Sequence, residues 1–260
     1  MKLTINNTLL LIMLNLAVSG STFAQSQESK SADYLALSIE LLEAIKTGAE
    51  TQEIRTRLES CSLESLREQL DTDPKKFVFW LNVYNAYIQL FLTAHPEYYE
   101  DRKSFFKRSM INLAGEQMSF ADIEHGIIRR SQFEYFLGYV RNPFVARYKK
   151  RLRPCDRDYR IHFALNCGAK SCPPVRVYRL ENLDEQLDQS ATAFLEKFST
   201  YDKSTNTVTT TPLFSWFRGD FKGKRGTKRI LKKYGIVPDS DVNLNFDDYD
   251  WTLDLDNFVD

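Results

Sequence analysis

Residues 73–96 read "DPKKFVFWLNVYNAYIQLFLTAHP", and their reading decides the fold. Asp73 and Pro74 suit a helix cap and a first helical position, and His95-Pro96 closes the run. Between them Phe77, Phe79, Trp80, Leu81, Val83, Ala86, Ile88, Leu90 and Phe91 leave almost no polar face. A helix that is apolar nearly all round belongs inside a domain. Yet Asn82, Asn85 and Gln89 lie three and four positions apart and so form one stripe. A buried amide without a partner costs about 1–3 kcal/mol. The stripe must therefore meet neighbouring main chain, water or a site. Two readings follow: the amides tie down a loop, or one of them lines a cleft.

On the amino-terminal side, "ADYLALSIELLEAIKTG" has helical spacing with Gly48 as a stop, and Ser62 caps a second helix through Leu70. On the other side, "MINLAGEQMS" predicts a hairpin around Gly115-Glu116. Ser119 with Asp122 resembles a capping box and opens a helix through "FADIEHGIIRRS". Glu124 and His125 are neighbours there, and Arg129 shares the face of His125. "YRIHFALNC" alternates as a strand, with His162, Ala164 and Asn166 on one side and Cys167 on the other. Further on come a helix capped by Asn182, a strand at "NTVTTTP", a short aromatic helix at "LFSWFRGDF", a helix ended by Gly235 and a final strand in "VNLNFDDYDWTLDLD". This order predicts a single, mainly helical α+β domain packed on a small, largely antiparallel sheet.

The chain has 260 residues. Residues 1–24 have the layout of a secretory signal: Lys2, an apolar run from Leu9 to Val18, and a cut after Ala24 in "STFAQ". The run is too short for a membrane span, so no integral span is expected in the mature chain. Residues 25–31 read as a flexible leader, and residues 32–260 as one domain. A periplasmic or secreted bacterial protein is expected. Lys+Arg and Asp+Glu both number 35, a balance that argues against a nucleic-acid partner. The locally basic "KGKRGTKRILKKYG" reads as a solvated helix face.

The densest chemistry lies in "RIHFALNCGAKSCPP", residues 160–174. It holds His162, Cys167 and Cys172 in a chain with three histidines and four cysteines. The cysteines are Cys61, Cys155, Cys167 and Cys172, and in an exported protein three pairings are open.

"FWLNVYNAY", "FADIEHGIIR", "RIHFALNCGAKSCPPVRVY", "LFSWFRGDF" and "YDWTL" resemble, in that order, the blocks of the DUF547 family. The resemblance runs from about Phe77 to Leu253. The family is defined by sequence, and its chemistry is largely unassigned. Its plant members carry the domain behind a coiled coil, and this chain shows no such heptads. An apolar helix followed by a strand opening "IHFAL" is also similar to the layout of transglutaminase-like and papain-like folds. There a cysteine sits near the start of the core helix; here Asn82 and Asn85 stand on that helix, and the nucleophile would have moved.

Three functions compete. In the first, a cysteine-dependent hydrolase or acyltransferase acts on peptide or amide bonds. Cys172, preferred over Cys167, would be the nucleophile, His162 or His125 the base, and Glu124, Asn82 or Asn85 its orienting group. In the second, a Cys167–Cys172 disulfide shapes the turn of a non-enzymatic domain that binds a peptide or small molecule. In the third, His125, His162, Glu124 and a cysteine hold zinc, but no paired metal-ligand spacing is present. No cofactor and no metal is therefore assigned.

Overall fold

A computed structural model describes residues 32–260, which form one compact unit. The signal and leader assigned to residues 1–31 lie outside the described residues. Four helices open the domain: α1 (Tyr34–Thr47), α2 (Gln52–Glu59), α3 (Leu63–Gln69) and α4 (Asp73–Ala94). Gly48 ends α1 in the left-handed conformation at φ 69°, where glycine carries no side-chain penalty. Ser62 caps α3 by accepting from the N–H of Ser65 at 3.0 Å. Nothing in the sequence reading corresponds to α2, which buries only Ile54 and Leu58.

The central helix α4 runs through the larger core as its composition requires. Trp80, Leu81, Val83, Ala86 and Ile88 are all fully buried. Among the described residues it alone is long and apolar enough to cross a membrane, but most of it is buried within the domain. Its cap differs from expectation by one position. Thr72 precedes the helix, and Asp73 sits in the first turn. The Asp73 carboxylate instead accepts from the main-chain N–H groups of Cys155 and Asp156 at 2.8 and 3.0 Å.

Helix α5 (Arg102–Lys107) is followed by the hairpin β1 (Ile111–Leu113) and β2 (Glu116–Met118), antiparallel as expected. Ala114 and Gly115, both at positive φ, form its two-residue turn. The Ser119–Asp122 capping box closes reciprocally at 3.0 and 3.1 Å. The segment it opens, Asp122–Ile128, is wound as a π-helix. Such wider turns are frequent at functional sites.

After α6 (Arg147–Leu152), the expected strand at 159–167 is absent; Tyr159–Phe163 is a 3-10 helix. The physical reason is that Ile161 and Phe163 enter two different cores, so alternation here does not reflect a pleat. Asp158 also caps the turn, accepting from the N–H of Arg160 at 2.9 Å. The histidine-bearing strand that supported a transglutaminase- or papain-like layout is thus missing.

The chain continues through β3 (Val175–Arg176), α7 (Leu183–Lys197), β4 (Ser199–Asp202), β5 (Thr207–Thr210), α8 (Leu213–Trp216), α9 (Gly223–Lys233), β6 (Asn243–Phe246) and β7 (Phe258–Val259). The domain is mainly helical α+β. Its strands make three small sheets rather than one: β1-β2, β3-β7 and β4-β5-β6. Two ladders are antiparallel and two, β3-β7 and β5-β6, are parallel. A second, smaller core of Phe163, Phe194, Phe214, Phe221 and Leu231 joins α7, α8 and α9 to the β4-β5-β6 sheet.

Candidate functional site

The amide stripe holds main chain. Asn82 donates to the carbonyl of Tyr178 and accepts from its N–H, both at 2.9 Å. Asn85 donates to Ala164 O at 3.0 Å and accepts from Asn166 N–H at 2.9 Å. Gln89 accepts from the N–H of Asp256 at 3.1 Å, and its buried Nε2 has no partner. Asn82 and Asn85 are fully buried and do not line the pocket. They act as two-pronged clamps that replace strand partners for segments 164–166 and 178.

The 164–166 clamp aims the cysteine turn. Asn166 donates to Pro173 O at 2.8 Å and accepts from Gly168 N–H at 2.9 Å. Gly168 has φ 84°, and a Cβ there would come within 2.8 Å of Leu92. Cys167 and Cys172 are joined by a disulfide. Cys61 is buried and Cys155 exposed, both as free thiols. Burial pushes the Cys61 thiol up to about 11, which keeps it protonated and unreactive.

Beside this turn is a cavity of about 260 Å³. Glu124, His125, His162 and Cys167 reach it from the π-helix, the 3-10 helix and the turn. Cys172 is 1% exposed and lies behind Cys167, outside the lining. The sequence thus named four groups that converge and three, Asn82, Asn85 and Cys172, that support them from outside.

One central residue was missed. Asp220, in the turn after α8, receives a hydrogen bond from His162 Nε2 at 2.9 Å and one from Arg129 Nε at 2.6 Å. Arg157 also pairs with it. Burial alone would raise the carboxyl of Asp220. The hydrogen bond from His162 and the charge and hydrogen bond of Arg129 outweigh it and hold the group well below the usual carboxylate range. An ionised carboxylate only accepts, so His162 Nε2 carries the proton and Nδ1 is left as the ring's acceptor. Burial lowers His162, against the pull of Asp220, so the ring is neutral. Phe217 stacks on it with centroids 4.2 Å apart. Gly219 makes the Asp220 placement possible: a Cβ there would fall 2.5 Å from the main-chain carbon of Gly138. The one available signal was that Asp220 is the only carboxylate in "LFSWFRGDF".

His125 plays the opposite part. Its Nδ1 lies 2.8 Å from Arg129 Nη1. Burial, reinforced by the Arg129 charge, pushes the imidazole down to about 3. A neutral ring that accepts at Nδ1 keeps its Nε2–H as a donor. Glu124 is pushed up by burial, although the Arg129 charge opposes this. Tyr84 O–H lies 3.4 Å from it. The mouth is aromatic: Trp216 stacks on Trp251 at 5.8 Å, and Tyr249 lies 4.6 Å from Trp251. Among the described residues no group of three or more His, Cys, Asp or Glu side chains is arranged to hold a metal ion.

A wider depression between α1 and α7 is lined by Glu43, Lys46, Arg176 and Arg179. Those side chains are already engaged, Lys46 and Arg176 with Asp260 and Arg179 with Glu43, which leaves it no convergent chemistry.

The class that emerges is a mainly helical α+β domain with a carboxylate-oriented histidine at an aromatic-mouthed pocket and a disulfide in its wall. Residues 67–195 match the model of the DUF547 family, described as a protein of unknown function, and the chain belongs to that family. No curated protein and no solved structure matches it.

Proposed function

We propose that this pocket performs acyl transfer or hydrolysis on a peptide or amide bond, with Cys167 as nucleophile once the disulfide is reduced. The observation that carries the reading is the 2.9 Å His162–Asp220 pair at a pocket whose wall includes Cys167. The carboxylate fixes the ring, and Nδ1 takes the thiol proton and gives it to the departing amine as the C–N bond breaks. The neutral His125 offers its N–H to the developing oxyanion, and water or an acceptor amine then releases the acyl group from Cys167. The preference between the two sulfurs moves from Cys172 to Cys167, because only Cys167 faces the cavity. The paired cysteines and the secretory layout of residues 1–24 support a periplasmic or secreted setting.

A chloroacetamide probe tests this on a Cys155→Ser background. Cys167 should label rapidly after reduction, and Asp220→Asn should slow labelling at least tenfold at pH 7. Equal rates in the two proteins would end the enzyme reading. The second reading, a non-enzymatic binding domain, is favoured by the disulfide itself, which leaves neither sulfur able to attack an acyl group. It predicts that ligand capture survives in the oxidised protein and is unaffected by alkylating Cys167.

A further inference from the structure

The Cys167–Cys172 disulfide is asymmetric in ways that bear on its own chemistry. Cys167 borders the cavity, whereas Cys172 is 1% exposed behind it. Cys172 Sγ accepts the N–H of Cys167 at 3.0 Å. Tyr249 O–H lies 3.2 Å from Cys172 Sγ and 3.7 Å from Cys167 Sγ. A disulfide sulfur carries no hydrogen, so Tyr249 is the donor. Burial keeps that phenol protonated. The turn carrying Cys172 is held in place: Ser171 N–H donates to Asp250 O at 3.2 Å, and Asp250 N–H to Ser171 Oγ at 2.9 Å.

In thiol–disulfide exchange the sulfur that can be reached is attacked, and the better-stabilised thiolate leaves. Here the reachable sulfur and the stabilised leaving sulfur are different atoms. We infer that the pocket is a thiol–disulfide exchange site for a low-molecular-weight thiol, attacked at Cys167 with Cys172 as leaving group. A thiol of the size of free cysteine suits a cavity of about 260 Å³. The incoming S–H gives its proton to His162 Nδ1. Its thiolate forms a bond to Cys167 Sγ as the Cys167–Cys172 bond breaks, and the electron pair leaves on Cys172 Sγ, held by its two donors. A second thiolate then attacks the ligand sulfur of the mixed disulfide and releases the ligand disulfide and the Cys167 thiolate. In sum, two thiols are oxidised to one disulfide, and the protein disulfide is reduced to two thiols. This needs only the pocket and the disulfide, so it stands whether or not acyl transfer occurs.

The test uses the Cys155→Ser protein, oxidised, with excess free cysteine as the probe. The reaction is quenched with acid, free thiols are capped with N-ethylmaleimide, and the peptides are mapped by mass. The expected result is cysteinylation at Cys167 and maleimide at Cys172. Tyr249→Phe, checked for fold by its melting temperature, should slow the reaction about tenfold. His162→Gln should slow it at pH 7 but not at pH 9.5, where the probe thiol ionises unaided. Adducts on Cys172, adducts shared equally, or a Tyr249→Phe rate equal to the parent's would each overturn the assignment. Failed chloroacetamide labelling of the reduced protein would remove acyl transfer alone.

Discussion

Two buried polar regions lie within a few turns of each other and do different work. On α4, Asn82 and Asn85 each spend one amide N–H and the amide oxygen on main chain. In the His125–Arg129–Asp220–His162 cluster, side chains hold one another, and the two neutral rings, both lining the pocket, each keep one nitrogen outside these bonds. Neutral amides whose nitrogen and oxygen are both engaged by main chain stabilise and specify. Charged groups with nearly complete partners also stabilise, but the leftover valence is chemistry. Burial of a polar residue therefore does not by itself mark a candidate site; a cavity-lining ring with one nitrogen uncommitted is the better pointer.

The sharpest way to break this contrast is Asp220→Ala. It leaves Arg129, 1% exposed, without its counter-charge. Removing one member of a buried pair costs about 3–5 kcal/mol, read by urea denaturation, together with lost Cys167 labelling. Asn85→Ala comes next. It leaves Ala164 O and Asn166 N–H unpaired at a fully buried position and should cost about 2–4 kcal/mol. Labelling per folded molecule should stay within twofold of the parent; a tenfold change would move Asn85 into the chemistry.

Acidification sharpens the same contrast through His125, pushed down to about 3. The unfolded ring binds a proton near pH 6.5 and the folded one does not. Its contribution is therefore complete above about pH 6.5 and is lost as pH falls toward 3, by at most about 1.4 kcal/mol per pH unit. Glu124, raised by burial, works in the opposite sense. The difference between parent and His125→Gln stability curves isolates the histidine, and parallel curves would show that it is not held neutral. The smallest effect belongs to Gln89, the amide whose Nε2 is unspent. Gln89→Met loses one hydrogen bond and removes one orphan, so a change of about 1 kcal/mol or less is expected by thermal melting.

Much of the fold was legible because its signals are local. The apolar run of α4, the Gly48 stop, the Ser62 cap, the Ser119–Asp122 box and the hairpin each act over a few residues, although the turn falls at Ala114-Gly115, one position before the expected Gly115-Glu116. The segment 159–163 was misread because buried residues facing two cores mimic the alternation of a strand. The site was half legible. Glu124, His125, His162 and Cys167 were found by residue type, whereas Asp220 and Tyr249 lie 58 and 77 positions from His162 and Cys172, the residues they serve.

By itself the sequence determined the family, the buried amide-bearing helix and the crowding of histidine and cysteine into one turn, since residue type and short spacing carry those. Only the tertiary structure decided that Cys167 pairs with Cys172, that Asn85 clamps the turn while Asp220 orients His162, and that Cys167 rather than Cys172 faces the cavity. Hydrogen bonds and sulfur pairing require atoms within about 3–4 Å of each other. Residues distant in sequence reach that separation only when two cores close around them.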